Sequence, residues 1–281
     1  MLNPEMMAVT FGLASAFVWG AGDFSGGVAS RRSDVYNVIL ISQTIGLSLL
    51  LVLLVLMPEP LPSLSSMALG AGAGIAGMLG LVIFYRGLAG GRMGIVAPAS
   101  AVTTAALPVL VGLIIEGTPS PLQFAGFAVA LVAVWFLAGA KEPASAQGRD
   151  IWAGITSGFG FALFFILIDQ AGEESVLWPL AAARLASITL MTLFLTGRRG
   201  WRVPGKTQLP VIALTGILDT TGNALFVLAS QTGRLDVAAV LASLYPASTV
   251  LLARIILKER LAGRQWWGVF LAMTALVLIA V

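Results

Sequence analysis

Five ionisable side chains lie inside long apolar runs of this sequence: Asp23, Arg86, Arg184, Asp219 and Arg254. A charge at the centre of a membrane-spanning helix costs roughly 2.5–3.5 kcal/mol on insertion scales. Such residues therefore usually face a partner or a water-filled cavity. These five are the first candidates for binding a charged solute or for taking part in a proton-coupled step.

Arg184 and Asp219 lie near the middle of two consecutive apolar segments joined by a short connection, so we expect them to pair at the membrane midplane. Two roles remain open for this pair. It is either a buried ion pair that only fixes helix packing, or a site where one member meets a zwitterionic substrate or titrates in a coupling step. Asn223 follows Asp219 by one helical turn and shares its face.

Aromatic and hydroxyl side chains in the same segments are candidates for the lining of a small-molecule cavity. Such sites are largely apolar and aromatic, with a few polar groups at fixed places. Pro246 follows Tyr245 and frees a backbone carbonyl, which either helps to bind a ligand or only kinks the helix. For any single aromatic, contact with lipid is the simpler alternative. With Arg184, Asp219 and Asn223, the expected lining residues are Trp19, Tyr85, Ser100, Thr103, Phe161, Phe164 and Tyr245.

The absence of His and Cys removes several classes of chemistry. The sequence offers no thiol nucleophile, no His–Cys zinc site and no imidazole acid–base catalyst. A membrane-embedded enzyme would need a carboxylate pair, and Asp23 and Asp219 are expected at different depths. The G-x-G-x-x-G of residues 72–77 lies inside an apolar run and not between a strand and a helix, so it does not indicate a dinucleotide site. We expect no enzyme activity, no metal and no cofactor.

The composition predicts an integral membrane protein. Of the 281 residues, 58% are hydrophobic and 10% are charged, whereas about 25% are charged in a typical soluble domain. A span needs about 20 apolar residues, and lipid forces the backbone to hydrogen-bond within each segment, which favours helices. We predict an all-α membrane protein with ten transmembrane helices, at roughly 6–29, 35–57, 67–88, 94–115, 121–139, 151–170, 176–195, 208–229, 235–257 and 263–280.

The distribution of basic residues predicts the orientation. Of the 16 Lys and Arg residues, 12 fall in the connections after spans 1, 3, 5, 7 and 9, and only Arg234 falls in the other connections or the termini. Because cytoplasmic connections carry the excess of Lys and Arg, we predict a multi-pass protein of the plasma (inner) membrane with both termini on the outer face. The same placement explains the net charge of +3 without a nucleic-acid partner.

Asp23, Arg86 and Arg254 fall on the cytoplasmic side of the centres of their spans, about two helical turns away. They are candidates for a gate that closes the inner mouth when the outer mouth is open. The alternative for the two arginines is that their long side chains reach the cytoplasmic headgroups. Aspartate is too short for that, so Asp23 remains a functional candidate.

An internal repeat divides the chain into residues 1–140 and 141–281. Because each half holds five spans, an odd number, the two halves must cross the membrane in opposite directions, as in many secondary transporters. Two Gly-rich apolar halves would look alike by composition, but matches between polar residues do not follow from composition. A shift of 142 residues aligns Trp19-Gly20 with Phe161-Ala162, Gly74-Ile75 with Gly216-Ile217, Gly80 with Gly222, Phe84 with Phe226, Gly91-Arg92 with Gly233-Arg234, and Gln123-x-x-Gly126 with Gln265-x-x-Gly268.

Each half resembles the EamA module of the drug/metabolite transporter superfamily. The resemblance is carried by Trp19-Gly20, by the stretch FYRGLAGGRMG at the end of span 3, and by a Glu–Gln–Gly pattern in each half: Glu116, Gln123 and Gly126, then Glu259, Gln265 and Gly268. It implies a central cavity lined by spans 1, 3, 4, 6, 8 and 9, with spans 5 and 10 at the periphery. It also implies transport of amino acids and related metabolites, sugars or nucleotide sugars. Many relatives have cytoplasmic termini, unlike the orientation predicted here.

We therefore predict a secondary transporter, an exporter or facilitator of small metabolites with amino acids as the expected class, working by alternating access. The alternatives are a channel, a structural membrane subunit, or a carrier of sugars or nucleosides. The expected partners are a small-molecule substrate and the lipid bilayer. Since one chain already holds both orientations of the repeat, no obligate protein partner is expected and a monomer should suffice.

Overall fold

The computed structural model describes residues 3–89, 93–115, 117–137, 147–256 and 263–280. These residues form eleven helices and no strand. The helices are α1 (Pro4–Ser30), α2 (Val35–Leu56), α3 (Leu64–Ala89), α4 (Met93–Ile115), α5 (Pro121–Leu137), α6 (Gln147–Ala171), α7 (Leu177–Gly197), α8 (Leu209–Thr232), α9 (Leu235–Ala242), α10 (Tyr245–Ile256) and α11 (Gly263–Ala280).

Six of the described helices are long and apolar enough to cross a membrane: α1, α2, α3, α6 over Trp152–Ala171, α7 and α8. Shorter apolar helices lie within Ala99–Ile114, Pro121–Ala133 and Leu235–Thr249. Large apolar side chains face outward, and Val55 and Ile114 are 78% and 84% exposed, as suits a surface in contact with lipid. The prediction of an all-α membrane protein is confirmed, while the count of ten spans stays a prediction.

The ninth predicted span, 235–257, consists of two helices. α9 ends at Ala242 and α10 begins at Tyr245. Pro246 has no N–H to donate to the carbonyl of Ala242, and the chain instead makes tighter turns, with Leu244 N donating to Leu241 O at 3.1 Å. Irregular backbone at membrane depth is tolerated where it is buried in protein or lines a cavity.

Helices from the two halves of the sequence pack on one another. α1 packs most closely on α8, α3 packs on α6, and α5 packs on α11. α4 also lies on α6, and α9 and α10 lie on α1. The predicted boundary at residues 140 and 141 lies outside the described residues, so the division into 1–140 and 141–281 stays a prediction.

Glycines bring the backbones of α3 and α7 into direct contact. A Cβ atom on Gly74 would overlap the carbonyl oxygen of Ala183. Ser187 Oγ of α7 donates to the carbonyl oxygen of Gly74 at 2.8 Å. In a second helix pair, a Cβ on Gly216 of α8 would overlap the carbonyl oxygen of Ser42 of α2. Small residues therefore set the spacing of both helix pairs.

Two connections at one end of the bundle cap each other's helices. Glu59, between α2 and α3, accepts hydrogen bonds from Ser175 Oγ and from Leu177 N, the latter at 2.8 Å. Glu174, between α6 and α7, accepts from Ser63 N at 2.6 Å and from Ser63 Oγ at 2.7 Å. Each carboxylate thus meets the positive end of a helix whose first N–H groups have no intrahelical partner.

We expect Gly74→Ala to lower the stability of the protein, because backbone atoms of α7 occupy the place of the new methyl group. Overpacking of this kind costs about 1–3 kcal/mol. Gly72→Ala on the same helix is the matched control, since its Cβ would meet only Leu167 Cδ1 at 3.6 Å. Thermal unfolding of the purified protein in detergent measures both variants. Equal midpoints for the two variants would contradict the inferred helix contact.

We expect Glu174→Gln to lower the unfolding midpoint at neutral pH and to have no effect in acid. The hydrogen bonds from Ser63 hold the pKa of Glu174 below its ordinary value. A carboxylate with a lowered pKa stabilises the folded state above its unfolded pKa, and this contribution is lost as the pH falls through the folded pKa. The midpoints of the wild-type protein and the variant should therefore converge between neutral pH and pH values below about 4.

Glu173→Gln is the control for this measurement. Glu173 precedes Glu174, is exposed, and makes no hydrogen bond within the part of the chain that the structure describes. The substitution makes the same change of charge, so it should leave the midpoint at neutral pH unchanged. A loss of stability that is the same in both variants, or that persists in acid, would show that the capping contact is not its cause.

Candidate substrate cavity

A cavity with a volume of about 650 Å³, including its open mouth, lies among the helices. α1, α2, α3, α4, α6, α7, α8 and α10 contribute to its wall. No described residue of α5 or α11 does. The lining therefore includes α2 and α7 as well as the six spans that the resemblance implied.

An ion pair in the wall connects α7 to α8. Arg184 Nη1 donates to Asp219 Oδ2 at 2.7 Å, and the two side chains are 6% and 24% exposed. The same nitrogen donates to Gln43 Oε1 of α2. Arg184 Nη2 is buried and has no hydrogen-bond partner among the described residues. One guanidinium thus holds three helices together, and one of its nitrogens is left without a partner among the described residues.

Asp23 is a second carboxylate in the same wall. It lies on α1, is half-buried, and makes no hydrogen bond or ion pair within the described ranges. It is close enough to Asp219 for the two carboxylates to repel each other. Asp23, Arg184 and Asp219 are the charged groups among the residues that line the cavity. With both carboxylates ionised, the wall carries a net charge of −1 and favours a ligand with a cationic group.

Aromatic rings close one side of the cavity. Trp19 stacks on Phe165 with ring centroids 5.2 Å apart, and Phe165 stacks on Phe226 at 4.0 Å. The indole is fixed because Trp19 Nε1 donates to Asn223 Oδ1 at 2.9 Å. Along α8, Phe226 lies about two turns beyond Asp219, toward the end of α8 where Gln231 Nε2 donates to the carbonyl oxygen of Asp169.

A second aromatic group lies toward the opposite end. The ring of Phe84 packs edge-on against Phe161, with centroids 5.6 Å apart, and against Tyr245 at 6.2 Å. Phe161 and Tyr245 line the cavity. The two aromatic groups and the ion pair together form a site with apolar walls and a few polar groups at fixed places, which is the usual composition of a small-molecule site.

The structure brings most of the predicted lining residues together. Seven of the ten line this cavity: Trp19, Phe161, Phe164, Arg184, Asp219, Asn223 and Tyr245. Tyr85 is buried with its hydroxyl against Gly26 of α1. Ser100 and Thr103 lie against Gly158 of α6, where α4 and α6 pack. Thr104, one residue further along α4, reaches the cavity instead.

Sequence reasoning missed Gln43, Phe165 and Ser187, which also line the cavity. Gln43 carried a usable signal, since an amide within an apolar run of 22 residues needs a partner in the membrane. Phe165 carried none, because an aromatic residue in a spanning helix suits lipid equally well. The hydroxyl of Ser187 donates to backbone carbonyls of α3 and α7, which is a packing role that spacing does not reveal.

The predicted gate residues lie in different surroundings. Asp23 lines the cavity. Arg86 is exposed, and its guanidinium carbon lies 4.9 Å from the ring centroid of Tyr36, a cation–π contact. The structure thus does not bring Arg86 to Asp23. The side chain of Arg254 lies outside the described residues, as does Glu116. The gate stays a prediction.

Comparisons with known proteins match part of the sequence to a family and the chain to solved structures. Residues 149–281 match the EamA-like transporter family. A solved crystal structure is similar to this chain with a TM-score of 0.75 and 16% sequence identity, covering 96% of this chain and 95% of that one. At this identity the likeness shows the fold alone. No curated protein matches the sequence.

A double-mutant cycle on the ion pair tests its energetic role. Arg184→Met or Asp219→Leu alone leaves the other charge without its partner, and breaking a buried pair costs about 3–5 kcal/mol. The double variant should lose less stability than the sum of the two single variants, because no orphaned charge remains. Thermal unfolding in detergent gives the four midpoints.

Gln43→Met is the control for this cycle, since it removes a hydrogen bond from Arg184 and leaves the ion pair intact. It should cost less than either change to the pair. Additive effects of Arg184→Met and Asp219→Leu would contradict the inferred coupling.

Proposed function

Because the chain carries an EamA-like transporter domain in residues 149–281, we propose that it is a secondary transporter of small metabolites in the plasma (inner) membrane. Amino acids are the proposed substrate class, moved outward or exchanged along their gradients by alternating access. The observation that carries this proposal is the placement of Arg184, Asp219 and Asp23 in one cavity among membrane-spanning helices.

The charged groups of the cavity match those of an amino acid. The substrate carboxylate would accept hydrogen bonds from Arg184, whose Nη2 lacks a partner among the described residues, and guanidinium groups bind carboxylates well. The substrate ammonium would lie against Asp23 or Asp219. The aromatic walls around Trp19 and Phe161 suit an apolar side chain.

The packing supports the proposal that residues 1–140 and 141–281 are inverted repeats. Trp19 packs on Phe226 with centroids 5.8 Å apart, and Phe161 packs on Phe84 at 5.6 Å. In the alignment that shifts the sequence by 142 residues, Trp19 corresponds to Phe161 and Phe226 corresponds to Phe84, so the second pair is the counterpart of the first. Two matching glycines also share a contact of this kind, since Gly222 lies against Trp19 and Gly80 lies against Phe161.

Helix pairs drawn from both halves are the proposed moving parts. α1 and α8 are joined by the hydrogen bond from Ser15 Oγ to the carbonyl oxygen of Gly222, at 2.9 Å, and α3 packs on α6 and α7. The bond from Arg184 to Asp219 crosses between these two groups of helices. A zwitterion would supply a carboxylate to Arg184 and an ammonium group to Asp219, so the pair could open without leaving either charge bare. Substrate would thus lower the barrier to alternation.

The proposed orientation places both termini outside. The basic connections after α1 and α7 lie at one end of the bundle, where Asn37 Nδ2 donates to the carbonyl oxygen of Gly200. The connections that carry Glu59 and Glu174 meet one another through the caps of α3 and α7. Under the positive-inside rule the basic end faces the cytoplasm. One chain holds both halves of the cavity, so the proposed working unit is a monomer.

Uptake by proteoliposomes tests this function. The purified full chain should take up a subset of labelled amino acids with saturable kinetics, measured as a panel with and without a pH gradient. Asp219→Asn should abolish most of this uptake, because the neutral amide cannot hold Arg184 or the substrate ammonium group as the carboxylate does. Asp169→Asn is the control, since Asp169 lies near the end of α6 and does not line the cavity.

Each outcome of this assay has a distinct meaning. Absence of uptake of every amino acid would overturn the substrate assignment, and sugars and nucleosides would be tested next. Flux that rises linearly with concentration would indicate a channel. Wild-type uptake by Asp219→Asn would remove Asp219 from the transport pathway.

A further inference from the structure

A second, strongly basic pocket lies outside the substrate cavity. It is formed by the connection between α1 and α2 and the connection between α7 and α8. Its lining comprises residues 31–34 and 202–205, which include Arg31, Arg32 and Arg202. We call it the arginine cleft; it encloses about 770 Å³ of space that is open to solvent.

Hydrogen bonds between distant parts of the chain fix the two walls of the cleft. The side chain of Asn37, which is 3% exposed, donates through Nδ2 to the carbonyl oxygen of Gly200 and accepts through Oδ1 from Arg202 N, each at 3.3 Å. Asp34 Oδ1 holds the same amide at 2.9 Å. Both connections therefore keep their relative positions before any ligand binds, which lowers the entropic cost of binding.

The cleft favours anions. Three arginines and one aspartate, Asp34, are the charged residues of its lining. Asp34 Oδ1 accepts the backbone N–H groups of Tyr36 and Asn37, so it serves as the N-cap of α2. Arg32 and Arg202 are exposed. Guanidinium groups bind phosphate oxygens in pairs of parallel hydrogen bonds. Because both walls of the cleft carry arginine, a single phosphate between them can accept hydrogen bonds from both.

The position of the cleft points to a lipid phosphate. α1 ends at Ser30 and α7 ends at Gly197, and both helices are membrane-spanning candidates. Connections at the ends of spanning helices lie at the level of the phospholipid headgroups. Next to Arg202, the apolar side chains of Trp201 and Val203 are 53% and 93% exposed. Exposed Trp at this depth is typical of contact with the membrane interface.

We propose that the arginine cleft binds the headgroup phosphate of an anionic phospholipid, with Arg32 and Arg202 as its principal ligands and Trp201 and Val203 beside the acyl chains. The bound lipid ties the end of α1 to the connection between α7 and α8. Of these two helices, α7 carries Arg184 and α8 carries Asp219. Under the proposed orientation it belongs to the cytoplasmic leaflet, where anionic lipids attract basic segments. Binding itself does not depend on the proposed transport activity or on the orientation.

Thermal unfolding of the full chain in detergent tests the proposal without a transport assay. Phosphatidylglycerol should raise the unfolding midpoint in a saturable manner, whereas phosphatidylcholine should not. Each basic residue near a membrane surface adds to the attraction of anionic lipid. Replacing both arginines in Arg32→Gln/Arg202→Gln should therefore weaken the apparent affinity for phosphatidylglycerol roughly tenfold or more.

The matched control is Arg199→Gln/Lys206→Gln, which removes the same total charge, in this case from the connection between α7 and α8 alone and outside the lining of the cleft. This variant should keep the wild-type response to phosphatidylglycerol. Three results would overturn the proposal: an equal response to phosphatidylcholine, an equal loss in the control variant, or the same stabilisation by inorganic phosphate at matched concentration. The last would assign the cleft to a free anion.

A second measurement decides the matter if the cleft variant fails to fold. A photoactivatable phosphatidylglycerol, mixed with the wild-type chain in the same detergent, should label peptides that contain residues 31–34 or 198–208. An excess of unlabelled phosphatidylglycerol should suppress this labelling. Labelling confined to other parts of the chain would refute the proposal.

Discussion

The ion pair between Arg184 and Asp219 is the interaction on which the arrangement of this cavity depends. A charge inside a membrane protein is tolerated only where it has a partner or reaches water. The two side chains meet this requirement by pairing at 2.7 Å. The guanidinium also holds Gln43. This requirement fixes the relative rotation of α2, α7 and α8, because each helix must turn one polar residue toward the same point.

Small residues make this arrangement possible. A Cβ on Gly46 of α2 would overlap Thr220 Oγ1 and approach Arg184 Nε, so Gly46 leaves room for the guanidinium beside the helix backbone. Gly74 and Gly216 let α3 approach α7 and let α8 approach α2 within backbone contact. In lipid, helices associate mainly through close packing and hydrogen bonds, since apolar surface gains little by leaving lipid tails. The glycines and the ion pair thus act together.

The sequence indicated helix type and approximate bounds because every apolar run is long and the backbone has few alternatives in lipid. It also indicated that Arg184 and Asp219 would meet, since an unpaired charge is costly in either helix. The rotation of each helix about its own axis, which decides the residues that face the cavity, was harder to predict. Consecutive residues of a helix are about 100° apart, so segment ends uncertain by a few residues did not separate Thr104, which lines the cavity, from Thr103, which packs against α6. The break of the ninth span at residues 243–244 was expected only as a kink at Pro246.

The charge of the cavity limits what the proposed transporter can carry efficiently. Two carboxylates and one guanidinium give the wall a net charge of −1 when all are ionised. A simple anion would compete with Asp219 for Arg184 and leave that carboxylate bare, while a simple cation would leave the existing pair closed. A zwitterion offers one partner to each member of the pair, so every buried charge stays matched while the helices carrying Arg184 and Asp219 separate. The carboxylate of Asp23 also attracts the ammonium group of the substrate. The aromatic walls distinguish substrates that differ in their side chains.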